Sequence, residues 1–349
     1  MSLLKYTIRR ILALIPILLG VMFLTFWLVR AMPSDPWTLM LGDSNLTQSK
    51  LDFIEAQKIK WGEIDENGNP VPIFTQFLIY IKNLLTGDWG VSIVVDKDRP
   101  VWEVISSRFP KTFEITILAI TFSTLIGIRA GIFSAVHRNE WSDTIIRFIA
   151  LVGVAIPVFW LGMILQYIFA IKLSWVDATL YQSPRYLLFK SDITGLRLLD
   201  SLLKGEFKVF WDTVSHLILP IFCLTFISLA GITRQTRSSM LEVLELDYIR
   251  TARAKGCTEK QVIYKHAWKN AQITTITIVG LSFAGLLGGA VLTETTFQLN
   301  GMGMLTIAAI NAQDYFLINA SVFLMTIIFV LANLITDILY GVVDPRIRY

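Results

Sequence analysis

Six apolar runs limit what this chain can become. They occupy approximately residues 11–29, 115–136, 144–171, 214–232, 273–293 and 316–343. A helix rises about 1.5 Å per residue, so each run can cross roughly 30 Å of hydrocarbon. In lipid only helices and closed barrels satisfy every backbone N–H and C=O, and these runs lack the alternation of barrel strands. The chain is 54% hydrophobic, above the roughly 45–50% of soluble domains. The expected fold class is an all-α polytopic membrane protein with six transmembrane helices. Lys5, Arg9 and Arg10 precede the first run as they would in a secretory signal. That run is longer than a signal core of roughly 7–15 residues, and no small-x-small cleavage site follows. It reads as a retained first span.

Charge gives the orientation. Lys5, Arg9 and Arg10 lie before the first span, Arg138 and Arg147 around the short loop 137–143, and Arg346 and Arg348 at the end. Loop 233–272 holds eight Lys or Arg against four Asp or Glu. If six spans alternate, all of these fall on one side, which the positive-inside bias makes the cytoplasm, with both termini. Loop 294–315, on the other side, has no Lys or Arg. Two sizeable extracytoplasmic segments follow, 30–114 and 172–213. The first reads as a small loop domain. Ile73, Phe74, Phe77, Leu78, Ile81, Leu84 and Leu85 mark an amphipathic helix. A turn cluster precedes it at Asp65–Pro70, and Gly87-Asp88 stops it. The second suggests short interfacial helices. The expected organisation is residues 1–29 (N-terminal region and first span), 30–114 (loop domain) and 115–349 (a five-helix core with segment 172–213 and loop 233–272).

Several chemistries are not indicated. The net charge of +4 reflects the loops of a membrane protein and not nucleic-acid binding. Cys223 and Cys257 cannot build a disulfide framework. No Gly-x-x-x-x-Gly-Lys-Ser/Thr phosphate loop is present. His137, His216 and His266 are scattered, without metal-ligand spacing. There is no Gly-x-Ser-x-Gly elbow.

The stretch Leu241–Ala271 is polar, basic and helix-prone between two apolar runs. Leu241, Leu244, Tyr248, Ala252 and Lys255 recur at steps of three and four. Gly256 offers a left-handed stop, and Thr258 with Gln261 has the spacing of a capping box. Two helices should therefore meet at a corner near Gly256 and Cys257. Such a pair is either a handle for a soluble partner or a solvated connection between spans.

Here the sequence resembles a known family. Tyr248-Ile-Arg-Thr-Ala-Arg-Ala-Lys-Gly256, followed by Asn270-Ala271, is similar to the "EAA" loop of ABC-transporter permeases, in particular the B-type permease of dipeptide and oligopeptide importers. Ala252 and Gly256 match the motif's Ala and Gly. Arg250 and Thr251 stand where the general motif has Glu and Ala, and Gln272-Ile273-Thr274 stands where a Pro is common. Further pieces resemble the family in order: Pro33-Ser-Asp-Pro36, Gly87-Asp-Trp-Gly-Val-Ser92, Pro157-Val-Phe-Trp-Leu-Gly162, Arg234 to Met240, Glu294-Thr-Thr-Phe297 with Gly301, Gly303, Asp314 and Tyr315, and Asp344-Pro-Arg-Ile-Arg348.

The resemblance implies a transport subunit, not an enzyme, in the plasma (inner) membrane of a prokaryote. It implies as partners a second homologous permease, one or two ATPase subunits and an extracytoplasmic substrate-binding protein. ATP and Mg would sit on the ATPases, with no cofactor on this chain. Asp247, Tyr248, Thr251, Ala252, Arg253, Ala254, Lys255 and Gly256 would couple to the ATPase. Di- or oligopeptides are the implied cargo, with oligosaccharides or nickel as alternatives in the same class. An ion-coupled secondary transporter is a further alternative, disfavoured by the few mid-span carboxylates.

Other residues carry two readings. Arg129 either snorkels to headgroups or faces the pathway or a partner subunit. Asp337 is a helix-end or paired carboxylate, or it touches substrate. Gly285 and Gly289, four apart, permit close helix approach, either within the chain or to a second permease. Glu294 is a solvated helix-end carboxylate, or it meets substrate or the binding protein at the outer mouth. Pro157 should kink the third span.

Overall fold

The computed structural model describes residues 3–32, 37 and 48–343. The motifs at 33–36 and 344–348, with Arg346 and Arg348, lie outside the described residues. Among those described the fold is helical, with two isolated β-bridges, Ile64 to Pro70 and Val91 to Pro100. Five helices are long and apolar enough to cross a membrane, or up to six if a sharply bent pair forms one span.

In chain order the helices are α1 (Leu3–Arg30), α2 (Gln48–Lys60), α3 (Ile73–Leu85), α4 (Val101–Val136), α5 (Trp141–Ala155), α6 (Val158–Leu165), α7 (Arg197–Leu203), α8 (Phe207–Leu244), α9 (Asp247–Ala254), α10 (Trp268–Gly289), α11 (Val291–Phe297), α12 (Met302–Asn311) and α13 (Tyr315–Val343). A π-helical stretch, Gln166–Lys172, continues α6, and another, Val262–Ala267, leads into α10.

Three helices depart from the limits read off hydropathy. The second span begins at Val101 and not 115, and the fourth continues past 232 to Leu244. Their polar ends are helical because they pack on protein, which hydropathy does not see. The third span is broken, not kinked. Pro157 pushes the residue before it out of the α region. Ile156 accordingly sits at φ −82°, ψ 126°, and the arms Trp141–Ala155 and Val158–Lys172 diverge by 103°. In segment 172–213 the short helices are a 3₁₀ turn at Pro184–Tyr186 and α7.

The chain forms two compact units. One comprises residues 12–109 and 305–327. Its centre is aromatic: Phe26 stacks edge-on against Phe77 and Tyr315, and Trp61 lies 4.6 Å from Phe316. The expected amphipathic helix is α3, but its buried face is Phe77, Tyr80 and Leu84, while Phe74, Leu78 and Leu85 of the expected face are exposed. Asp65 ties its turn by accepting the backbone N–H groups of Asn67 and Asn69. Asp314 Oδ2 accepts the Ser92 hydroxyl and the N–H groups of Ile93, Val94 and Val95 at 2.7–3.2 Å. A Cβ on Gly90, in the left-handed region at φ +78°, would lie 2.7 Å from the Phe316 ring. Two distant stretches of the family resemblance, 87–92 and 314–315, are thus brought together by Ser92 and Asp314.

The other unit comprises residues 1–11, 110–304 and 328–349. Ile115, Leu217, Cys223, Leu224 and Phe297 are buried in one of its cores. Gly131 of α4 lets α8 close in, since a Cβ there would lie 2.6 Å from Thr236 Cβ. Glu114 fastens segment 172–213: its carboxylate accepts from the Tyr181 hydroxyl and from Leu198 N–H (2.7 Å).

Candidate functional site

The basic stretch after α8 folds as a corner, but not as one continuous periodic helix. Helix α8 stops at Leu244, and α9 starts afresh at Asp247. The expected repeat through Leu241, Leu244 and Tyr248 therefore spans a break. Asp247 sits in the first turn of α9, where a negative charge complements the helix dipole. The helix ends on Gly256 at φ +79°. Cys257 N–H reaches Ala252 O and Gly256 N–H reaches Arg253 O, the paired bonds of a Schellman stop. Thr258 then opens the next helix with a full capping box to Gln261. No atom lies within 4 Å of a Cβ built on Gly256, so glycine is required there for its backbone angle and not for space.

One face of α9 is seated. Ile249 is 0% and Ala252 7% exposed, in a cluster with Ile132, Ala135, Met240, Val262, Ala267 and Ala271. The opposite face is open, with Asp247, Tyr248, Thr251, Arg253, Ala254, Lys255 and Gly256 all exposed. Ala252 is thus the one of the eight proposed coupling residues that is buried.

Side chains brace the corner. Arg253 grips Glu259 across it at 2.8 and 3.4 Å. Asn270 Nδ2 donates to Tyr248 Oη at 2.6 Å. Arg138 meets Glu245 at 2.7 Å, joining the α4–α5 turn to the end of α8. Beside the corner, buried Asp143 collects Arg237 Nε and Nη2 at 2.7 and 2.9 Å, the Ser134 hydroxyl and Asn139 N–H. Arg147 Nε stands 3.4 Å away. Asp143 escaped the sequence reading, although an acid at the edge of an apolar run signals a paired group.

The remaining singled-out residues lie apart from the corner. Arg129, on α4, is exposed, with no ion pair or hydrogen bond among the described residues. Asp337 is paired, 3.0 Å from Arg10. Glu294 is neither solvated nor at an open mouth, because it is 0% exposed. It accepts from Thr112 Oγ1 at 2.5 Å and from Met304 N–H at 3.0 Å. A Cβ on Gly301 would lie 2.5 Å from Thr112 Oγ1, and one on Gly303 2.6 Å from Val291 Cα. That crowding accounts for the glycines that follow Glu294. Close packing of α10 falls on Gly280, where a Cβ would lie 2.0 Å from Thr336 Oγ1. Gly285 instead faces open space, so the reading of close packing within the chain fails there. Gly289 is the last residue of α10, and its surroundings lie outside the described residues.

Comparison with known proteins agrees with this layout. Residues 127–349 match the family described as "Binding-protein-dependent transport system inner membrane component", and residues 3–116 match its N-terminal companion. The chain is 43% identical over 346 residues to the dipeptide transport system permease protein DppB of Alkalihalophilus pseudofirmus, covering 99% of this chain and 100% of that one. It is 40% identical over 350 residues to DppB of Escherichia coli, covering 99% of each. To the oligopeptide transport system permease protein AppB of Bacillus subtilis it is 39% identical over 344 residues, again covering 99% of each. In fold it is similar to a chain of the inward-facing MetNI methionine ABC transporter, with a TM-score of 0.52 and 15% identity, covering 70% of this chain and 98% of that one. Members of the family are transport subunits of importers that depend on a binding protein, not enzymes, and they work with other subunits. With its five long apolar helices and bent pair, this multi-pass membrane protein belongs to the binding-protein-dependent transport system inner membrane component family.

Proposed function

We propose that this chain is one of two permeases enclosing the pathway of an ATP-driven importer of di- or oligopeptides. An extracytoplasmic binding protein delivers the cargo, and cytoplasmic ATPases grip α9. The observation that carries the proposal is the two-faced corner. Ile249 and Ala252 fix α9 to α4, α8 and α10, while its outer face stays free for a partner. A helix rooted in this way passes a push from the ATPase into the spans as a rigid lever. The peptide cargo rests on relatives named for dipeptide and oligopeptide transport that match nearly the whole chain. Leu281, Gly285 and Gly288 form an exposed stripe on α10 that suits a second permease, since small residues admit close approach.

Proteoliposomes holding the assembled system test this. Labelled dipeptide should accumulate inside only with the binding protein and ATP, and Tyr248→Ala/Arg253→Ala should abolish coupling while the chain still inserts. Full uptake by the double variant would sink the lever, and nickel or oligosaccharide uptake without peptide uptake would sink the cargo.

A further inference from the structure

Beside the corner, α5 and α8 enclose a cavity of about 390 Å³ with three guanidinium groups in its lining, those of Arg147, Arg234 and Arg237. Asp143 answers only part of that charge. Its two oxygens are already occupied by Arg237, Ser134 and Asn139, with Arg147 at 3.4 Å. Arg234 is exposed and makes no ion pair or hydrogen bond among the described residues. The lining also contains Thr233, only 2% exposed, whose hydroxyl is buried without a hydrogen-bond partner. A buried hydroxyl with no partner among the described residues costs free energy, which a ligand seated against Thr233 would relieve.

The position of the cavity along α5 suits a lipid. Helix α5 opens on Trp141, 84% exposed, as a headgroup-belt residue would be, and Arg147 lies about 9 Å further along the axis. Ala150 and Leu151 continue the cavity wall toward the bilayer interior. Phe148 and Leu151 are 65% and 67% exposed on the same helix, as side chains that meet acyl chains would be. Basic side chains about two turns in from Trp141 thus adjoin an apolar wall. We infer that this cavity holds an anionic phospholipid, its phosphate among Arg147, Arg234 and Arg237 and an acyl chain along Ala150 and Leu151. The inference needs only insertion in a membrane and is independent of cargo and coupling.

Native mass spectrometry of the full chain in mild detergent, with the subunits that accompany it, tests this. Phosphatidylglycerol should bind in preference to phosphatidylcholine with the same acyl chains. Arg234→Gln should weaken phosphatidylglycerol about fivefold, the effect of one basic group near an anionic surface, and leave phosphatidylcholine unchanged. Thr233→Val is a second variant and should weaken the same lipid. Equal binding of the two lipids would overturn the proposal, and it is also the result expected if another subunit fills the cavity. An unchanged preference in both variants would overturn it too. Displacement of the lipid by millimolar inorganic phosphate would assign the site to the free anion and overturn the lipid.

Discussion

Asn270 donates to the hydroxyl of Tyr248 at 2.6 Å, across the corner that joins α9 to α10. The same hydroxyl points at the His266 carbonyl, 3.5 Å away. Ala271, next to Asn270, is buried under α9 with Ile249 and Ala252. The two halves of the loop motif, Tyr248 to Gly256 and Asn270-Ala271, are therefore one object: a helix, its seat and its latch.

The latch gives a direct test. Tyr248→Phe keeps the ring and loses the bond, which at an exposed site is worth about 0.5–1 kcal/mol. Hydrogen exchange at the α9 amides should quicken by a few-fold while the rest of α8 and α10 stays unchanged. Unchanged exchange in α9 would show that the ring alone holds the corner.

Gly256 carries the heavier constraint. At φ +79° an alanine pays roughly 1–2 kcal/mol for the left-handed conformation. Proline cannot adopt that angle, and it also removes the N–H that donates to Arg253 O at 2.9 Å. Gly256→Ala should lower the melting temperature slightly and leave uptake measurable. Gly256→Pro should insert normally but hydrolyse ATP without uptake. Uptake at the full rate by the proline variant would count against α9 as the lever.

How much of this was readable beforehand depends on the range of the interaction. The Gly256 stop and the Thr258–Gln261 cap are local, and the sequence shows them as plainly as the structure, whereas of the expected α3 face only Phe77 and Leu84 are buried. The start of α4 was hidden, because Val101 is helical through packing and not through hydropathy, and so was the break between Leu244 and Asp247 within a stretch whose spacing is helical throughout. The fate of Glu294 was hidden too, because Thr112 lies 182 positions away. Asp143 is held partly by Arg237, 94 positions on. Carboxylates that looked like mouth or span-end groups are internal fasteners, and spacing along the chain cannot tell the two apart.

Asp143 should prove the costliest of these fasteners to lose. Asp143→Ala leaves Arg237, only 19% exposed at its side chain, without its bidentate partner. Removing one member of a buried pair costs about 3–5 kcal/mol, and the partial exposure of Arg237 places the expected loss near the lower figure. Thermal unfolding in detergent should show a clear drop for Asp143→Ala and a smaller one for Asp143→Asn, which retains hydrogen bonds. Equal stability of both variants with the parent would mean that the cluster is not structural.

Two glycines on α10 should behave in opposite ways. Gly280→Ala sets a methyl 2.0 Å from Thr336 Oγ1, so α10 and α13 must part. Overpacking of this kind costs about 1–3 kcal/mol. Gly285→Ala meets nothing within 4 Å among the described residues and should not lower the chain's stability. If a second permease lies along Leu281, Gly285 and Gly288, the Gly285 variant should instead lose co-purification of that subunit. A Gly285 variant with normal stability and normal assembly would remove this stripe from the subunit contact.

Segment 172–213 should loosen in acid through Asp200. Burial alone would raise its carboxyl. Hydrogen bonds from the Thr194 hydroxyl and from the N–H groups of Thr194, Ile193 and Gly195 outweigh burial and hold it below the ordinary carboxylate range. A folded-state value below the unfolded one means that the stabilisation is complete above about pH 4, the unfolded value, and fades as pH falls through the lower, folded one. Limited proteolysis of the segment should therefore accelerate below about pH 4 in the parent chain. Asp200→Asn should cleave faster at neutral pH and lose much of that acid dependence. A parent profile flat through this range would show that Thr194 and its neighbours do not hold the turn through the charge on Asp200.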